Sequence, residues 1–197
     1  MILLVDNFDS FSHILADYFL RTGVELEIVR NDVSLEALKR RPYEALVISP
    51  GPETPEKAGN LMEILGYYHD KIPVLGICLG HQAIGTFFGG RLAVNERPMH
   101  GKVSTVRQVC PHVILDGLPD TFEVTRYHSL ELKELPPTLN VLLETRQKEV
   151  MAIAHTYFPV VGLQFHPEAH LTQFGFELIH SWVKYIAVTD FLARVNF

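Results

Sequence analysis

Cysteine is nearly absent from this chain, and tryptophan more so: 197 residues contain two cysteines, Cys78 and Cys110, and one tryptophan. Two cysteines without a secretory context make no disulfide framework, so both are expected as free thiols in a reducing, cytoplasmic compartment. Long hydrophobic runs are missing as well. The apolar stretches are strand-sized, and the first, Met1-Ile2-Leu3-Leu4-Val5, meets Asp6 at once, so neither a membrane span nor a signal peptide is expected. Positive charge is in deficit: 17 Lys and Arg stand against 23 Asp and Glu, a formal net charge of -6. With no basic run anywhere, a surface built for nucleic-acid phosphates is excluded. The chain also lacks the glycine spacing of a P-loop or dinucleotide fingerprint, the H-E-x-x-H of zinc proteases and the P-C-x-x-C of zinc deaminases.

What remains is an ordinary globular balance, 47% apolar and 20% charged, enough for one well-buried core. Apolar runs of strand length recur at Ile2–Val5, Leu26–Val29, Ala45–Ile48, Val74–Ile77, Val141–Leu143, Met151–Ala154 and Val160–Phe165. Several are apolar at nearly every position, as in a parallel sheet covered on both faces. Phe11, Ile14, Leu15, Tyr18 and Phe19 form one face of a helix that Ser10 is placed to cap. Leu35 and Leu38 suggest a short helix behind Ser34, and Thr54-Pro55-Glu56 reads as the start of a third, with Leu61, Ile64, Leu65 and Tyr68 on its inner face. A last helix is expected from about Thr172 to Ile186, with Phe174, Leu178, Ile179, Trp182 and Ile186 inward. Strand and helix alternate through residue 88, which predicts an α/β fold: a single domain over residues 1–197 with a mostly parallel, twisted central sheet, helices on both faces, and residues 186–197 as a C-terminal extension.

The chemistry concentrates at strand ends. Gly76-Ile77-Cys78-Leu79-Gly80-His81-Gln82 places a cysteine between glycines directly after an apolar strand and at the start of a helix. This is the cysteine counterpart of the G-x-S-x-G nucleophile elbow. A strand turning sharply into a helix leaves its apex residue strained, and the helix N-terminus favours negative charge on the sulfur. His166-Pro167-Glu168 follows another strand; in extended geometry residues i and i+2 share a side, so carboxylate and imidazole can pair. Ser49-Pro50-Gly51-Pro52 ends a third strand and offers backbone N–H groups beside the thiol. Ligands of open α/β sheets bind beyond the carboxyl ends of strands, so all three can meet in one crevice. His166, Glu168 and His170 also alternate as three metal ligands on one strand face would, but no accompanying zinc signature supports that reading, and no metal is expected. Asp6-Asn7-Phe8-Asp9-Ser10 reads as a helix-capping loop, and Cys110, before Pro111, as an inert thiol.

With these motifs placed, the chain resembles the class I, triad-type glutamine amidotransferases over about residues 1–186. The resemblance rests on Gly76–Gln82, Ser49–Pro52 and Gln164–Glu168. Asp6–Phe11, Met99-His100-Gly101-Lys102 and Arg126-Tyr127-His128-Ser129-Leu130 narrow it to anthranilate synthase component II and the glutaminase component of aminodeoxychorismate (para-aminobenzoate) synthase. It implies a flavodoxin-like fold, Cys78 as nucleophile, His166 as proton carrier, Glu168 as its orienter, and Gly51 and Leu79 as oxyanion-hole donors. Gly51, Pro52, Gln82, Ser129 and Leu130 would bind glutamine. It further implies a chorismate-using synthase subunit as partner, holding any magnesium, with no cofactor in this chain. The competing readings are a catalytically quiet interaction subunit and a stand-alone thiol amidohydrolase. Three positions depart from the family pattern: Glu53 where glycine or a small residue is usual, Ile14 for asparagine, and Ala169 for serine.

Overall fold

A computed structural model describes residues 1–195, with side chains through residue 188. The first half is a run of strand–helix units: β1 (Ile2–Asp6), α1 (Ser12–Arg21), β2 (Leu26–Arg30), α2 (Leu35–Leu38), β3 (Ala45–Ile48), α3 (Leu61–Tyr68), β4 (Val74–Ile77) and α4 (Leu79–Phe87). The second half is strand-rich: β5 (Arg91–Val94), β6 (Lys102–Gln108), β7 (Thr121–Arg126), β8 (Leu130–Lys133), β9 (Leu139–Thr145), β10 (Val150–His155) and β11 (Val160–Leu163), closed by α5 (Gly175–Val195). Nine strands form one sheet in the order β2-β1-β3-β4-β11-β10-β9-β6-β7, while β5 and β8 make a separate antiparallel ribbon. Pairing is parallel from β2 through β11 and antiparallel from β11 to β7.

The parallel half is apolar because it is covered twice. Every residue of β1, β3, β4 and β11 is buried. On one face Phe19 of α1 meets Trp182 of α5 edge to face, ring centroids 5.8 Å apart. On the other, Leu61, Ile64 and Leu65 of α3 and Ile84 of α4 pack over Leu46, Ile48 and Val74. Burying side chains of this size contributes about 1.5–3 kcal/mol each, so the two layers fix the sheet against which the strand ends are positioned. No helix among the described residues is long and apolar enough to cross a membrane.

Four local expectations are corrected. Ser10 does not cap α1: Phe11 occupies the cap position without a side-chain bond, Asp9 Oδ2 accepts from the Phe11 N–H at 2.7 Å, and Asp6 Oδ1 accepts from Ser12 Oγ at 2.7 Å. A carboxylate is the stronger acceptor for a free N–H at a helix start. Thr54-Pro55-Glu56 opens only a 3-10 turn, Pro55–Lys57; the chain bends at Gly59, φ 57°, and α3 starts after Asn60. At Gly59 a Cβ would lie 2.8 Å from the Asn31 carbonyl oxygen, so the turn is closed against that backbone. Phe174 is not an inward helical residue: at φ 57° and 37% exposed it precedes α5, resting edge-on against Phe122. The strand expected to reach Phe165 ends at Leu163, which frees Gln164–Glu168 to form a loop. The cap by Ser34 is present, its side chain accepting from the Ala37 N–H. Of the expected C-terminal extension, residues 196–197 lie outside the described residues.

Candidate active site

Strands β3, β4 and β11 are neighbours, and their carboxyl ends carry the three sequence motifs. Ile48 pairs with Gly76, Ile77 with Leu163, and the Cys78 N–H donates to the Leu163 carbonyl at 2.8 Å. Cys78 occupies the cap position of α4 at φ 51°, ψ -97°, outside the basins that side-chain-bearing residues favour. The turn is possible because its flanks are bare: a Cβ on Gly80 would stand 2.6 Å from the Ile48 carbonyl oxygen, and one on Gly76 would collide with Gly80 itself. Helix α4 therefore starts directly on the sheet, and its first N–H groups, including that of Leu79, have no helical carbonyl before them. Cys78 as a residue is 6% exposed.

His166 and Glu168 are both buried, with His166 Nδ1 and Glu168 Oε1 2.7 Å apart. The turn that carries them is clamped by backbone: His166 N–H donates to the Thr125 carbonyl at 3.1 Å, and the His166 carbonyl accepts from Thr172 Oγ1 at 2.7 Å. Burial opposes a charged His166 ring, but hydrogen bonding to Cys78 and to Glu168 outweighs it and lifts the imidazole to about 10. The buried Nε2 has no hydrogen-bond partner of good geometry among the described residues. Such bonds commonly tighten only when substrate is bound. On the other side of the thiol, Gln164 Nε2 donates to Cys78 Sγ at 3.8 Å.

A glycine-flanked thiol, an imidazole and a carboxylate converging at the carboxyl edge of a parallel sheet are the parts of a cysteine nucleophile site. The sequence model described as glutamine amidotransferase class-I matches residues 3–185. The chain belongs to this family. Aminodeoxychorismate/anthranilate synthase component 2 of Bacillus subtilis (strain 168) is 41% identical over 93% of this chain and 96% of its own length. Anthranilate synthase component 2 of Mycobacterium tuberculosis (strain H37Rv) is 43% identical over 92% of this chain and 81% of its own. Aminodeoxychorismate synthase component 2 of Escherichia coli (strain K12) is 39% identical over 93% and 99%. A crystal structure of a Thermoplasma acidophilum protein superimposes with a TM-score of 0.88 at 26% identity, over 98% of this chain and 96% of that one.

Of the other residues expected in an amidotransferase site, Gly51, Leu79, Gln82 and Leu130 adjoin the elbow, whereas Pro52 lines a different cleft. Gly51 lies against α4: a Cβ on it would fall 2.6 Å from Leu79 Cδ2 and 2.5 Å from Asn7 Cβ, so the loop after β3 closes onto the elbow only with glycine. Asn7 ties that loop down, its N–H donating to Ser49 Oγ and its Nδ2 to the Ser49 carbonyl, both at 2.9 Å. Pro52 follows, exposed at the edge of a separate small cleft shared with Phe8, Asn31 and Lys57. Gln82 Nε2 lies 3.3 Å from both the Leu130 carbonyl and Gln164 Oε1, so the segment Ser129-Leu130 is joined to the elbow through one side-chain amide. His170 is exposed, apart from the buried pair, and no cluster of three metal-ligating side chains occurs among the described residues. Cys110 is free and half-buried, its sulfur facing the Pro111 carbonyl.

The departures from the amidotransferase pattern are explained or silent. Glu53 stands at φ 62°, the left-handed geometry that glycine takes without cost; its carboxylate points outward to Lys57 Nζ, 3.4 Å away. Ile14 is exposed on α1, and Ala169 is buried behind the triad loop. Sequence reasoning gave Gln164 and Tyr127 no individual role in the site, and read Asp9 only as part of a helix-capping loop and Phe11 only as an apolar helix residue. Gln164 shares the i, i+2 alternation of His166 and Glu168, a signal present in the sequence. Phe11 and Tyr127 stack edge-on against the His166 ring, at 5.5 and 5.0 Å between centroids, and only the fold brings them there. Burial raises the Asp9 carboxyl, while the Phe11 N–H and the His166 charge work against the rise.

Proposed function

We propose that this chain is the cytoplasmic glutaminase component of a chorismate-using synthase, releasing ammonia from L-glutamine for anthranilate or aminodeoxychorismate formation. The observation that carries the reading is the convergence of Cys78, His166 and Glu168 at one buried crevice. In the proposed reaction Cys78 Sγ attacks the side-chain amide carbon of glutamine with the thiol proton already carried by His166. The tetrahedral oxyanion is met by N–H groups of Gly51 and Leu79. His166 then passes its proton to the departing nitrogen, ammonia leaves, and a glutamyl thioester remains on Cys78. Water, deprotonated by the same ring, splits the thioester to glutamate and restores the thiol. Glu168 holds His166 with its proton on Nδ1 and balances the imidazolium. Gln82, Ser129 and Leu130 hold the polar ends of glutamine, neutral amide and backbone groups suiting a ligand that carries both charges.

Ammonia is a nucleophile only while unprotonated, and a dry passage keeps it so. A partner that binds chorismate, and holds any magnesium the synthesis needs, completes the reaction; this chain contributes no cofactor. The test is to combine the purified chain with candidate chorismate-using synthase subunits and measure aromatic product from glutamine and from ammonium salts. Wild type should support both, and Cys78→Ala only the ammonia-dependent reaction. Equal glutamine-dependent rates for the two would refute the assignment.

A further inference from the structure

Arg126 is charged, and 1% of its side chain is exposed. Its Nη1 and Nη2 donate to Glu149 Oε2 and Oε1 at 2.8 and 2.6 Å, and its Nε donates to His128 Nε2 at 3.1 Å. An arginine Nε always bears hydrogen, so His128 Nε2 must accept, which leaves the ring's proton on Nδ1. That Nδ1 is 2.7 Å from the Leu130 carbonyl, the oxygen that also takes the Gln82 amide. The connection then continues through Gln164 to Cys78 Sγ. Glu149 is further held by Asn95 Nδ2 and Thr145 Oγ1, each at 2.8 Å, while the Asn95 N–H donates to the Ser129 carbonyl and the Met99 N–H to that of His128. A buried ion pair is a weak source of stability, since desolvation consumes most of the attraction. Its worth here lies in the geometry it imposes on residues 128–130.

We propose that His128, fixed by the Arg126–Glu149 pair, is a positioning residue for glutamine: it anchors the Leu130 carbonyl and the Gln82 amide so that the amino-acid end of the substrate is held in register with Cys78. The inference rests on the glutaminase reading. Burial and the Arg126 charge keep the ring neutral, pushed down to about 4, so the Nδ1–H donor persists through the neutral range.

The test compares two substitutions in the full chain with its synthase partner. In His128→Asn the amide nitrogen replaces Nδ1 and retains the donor to Leu130; in His128→Gln the amide oxygen replaces Nε2 and the donor is lost. Removing a buried hydrogen bond that orients a ligand group corresponds to about a tenfold change. KM for glutamine should therefore rise about tenfold in His128→Gln with kcat within about threefold, and stay within about threefold of wild type in His128→Asn. Alkylation of Cys78 by iodoacetamide should proceed at the wild-type rate in both, marking an intact elbow. Unchanged KM in His128→Gln, or equal damage in the two variants, would overturn the proposal, as would joint loss of substrate affinity and of the normal alkylation rate. A wild type that does not hydrolyse glutamine would instead overturn the underlying reading. Should His128→Gln fail to fold, Glu149→Gln, which removes the charge fixing Arg126, is expected to raise KM while preserving alkylation; an unchanged KM there overturns the proposal equally.

Discussion

Replacing Glu168 by glutamine removes one charge and almost no volume. The side-chain carbonyl can still accept from His166 Nδ1, now 2.7 Å from Oε1, so the ring keeps its tautomer and position. What is lost is the negative charge facing an imidazolium in a site where both side chains are essentially inaccessible to solvent. A hydrogen bond to a charged group contributes about 1.5–3 kcal/mol, and each 1.36 kcal/mol of barrier is about tenfold in rate. Glu168→Gln should therefore lower kcat for glutamine hydrolysis by about 10- to 100-fold. KM should change little, since Glu168 lies behind the imidazole and away from the substrate. Glu168 is also one of the causes that lift His166 to about 10, so its removal moves the imidazole downward, and the limb of the pH–rate profile set by His166 must shift to lower pH. The assay is glutamate release with saturating partner, measured from about pH 6 to about pH 10. A kcat within about twofold of wild type, or an unmoved limb, would refute the assigned role. His166→Ala should cost more than Glu168→Ala, because proton transfer is harder to replace than orientation.

Three further outcomes follow from the geometry. The backbone of Cys78 (φ 51°) suits glycine better than alanine, so Cys78→Gly should be more stable than Cys78→Ala by about 1 kcal/mol, a difference of about 2–4 °C in Tm by calorimetry, while both lack glutaminase activity; equal Tm values would remove the strain argument. Glu53→Gly should raise Tm by about 2 °C through relief of its left-handed backbone and leave glutamine kcat and KM unchanged, since the carboxylate faces Lys57; a changed KM would place that carboxylate in the site. Burial pushes the Glu149 carboxyl up, but bonds from Arg126, Asn95 and Thr145 prevail and hold it at about 2. With a folded value below the ordinary 4.5, its contribution is complete above that pH and is lost as the pH falls toward 2. Acid unfolding in that window should accordingly be steeper in wild type than in Glu149→Gln, and parallel curves would show that Glu149 is not the titrating group.

The parts of the fold legible in the sequence are those with a local physical signature. The runs Ala45–Ile48 and Val74–Ile77 are strands with those bounds because they are apolar throughout and end in turn residues. The elbow at Cys78 was legible because only glycine tolerates the close approach of α4 to β3, and the pairing of His166 with Glu168 because proline forces extended spacing. Where two local signals competed, the stronger acceptor or the tertiary contact won: Asp9 rather than Ser10 at α1, and Gly59 against Asn31 rather than Pro55 at α3. In the antiparallel half the expected runs Val141–Leu143 and Met151–Ala154 fall inside β9 and β10, whereas β5 to β8 were not legible. Strand β6 has only Val106 buried and β7 ends in three buried residues, so neither carries a clean period-two signal, and the pairing of β6 with β9 is set by contacts distant in sequence. Arg126 and Glu149 illustrate the limit, since nothing about either residue alone announces a bidentate pair buried 23 positions apart.

The most direct test of the account is to mix the chain and the proposed synthase partner with glutamine, quench in acid within a turnover, and determine by mass spectrometry what Cys78 carries. A glutamyl group bound to Cys78 within the first turnover, and none in His166→Ala, where no base is left to carry the thiol proton to the departing ammonia, is the predicted result. Glutamate production with Cys78 unmodified at every time point, or undiminished in Cys78→Ala, would contradict it.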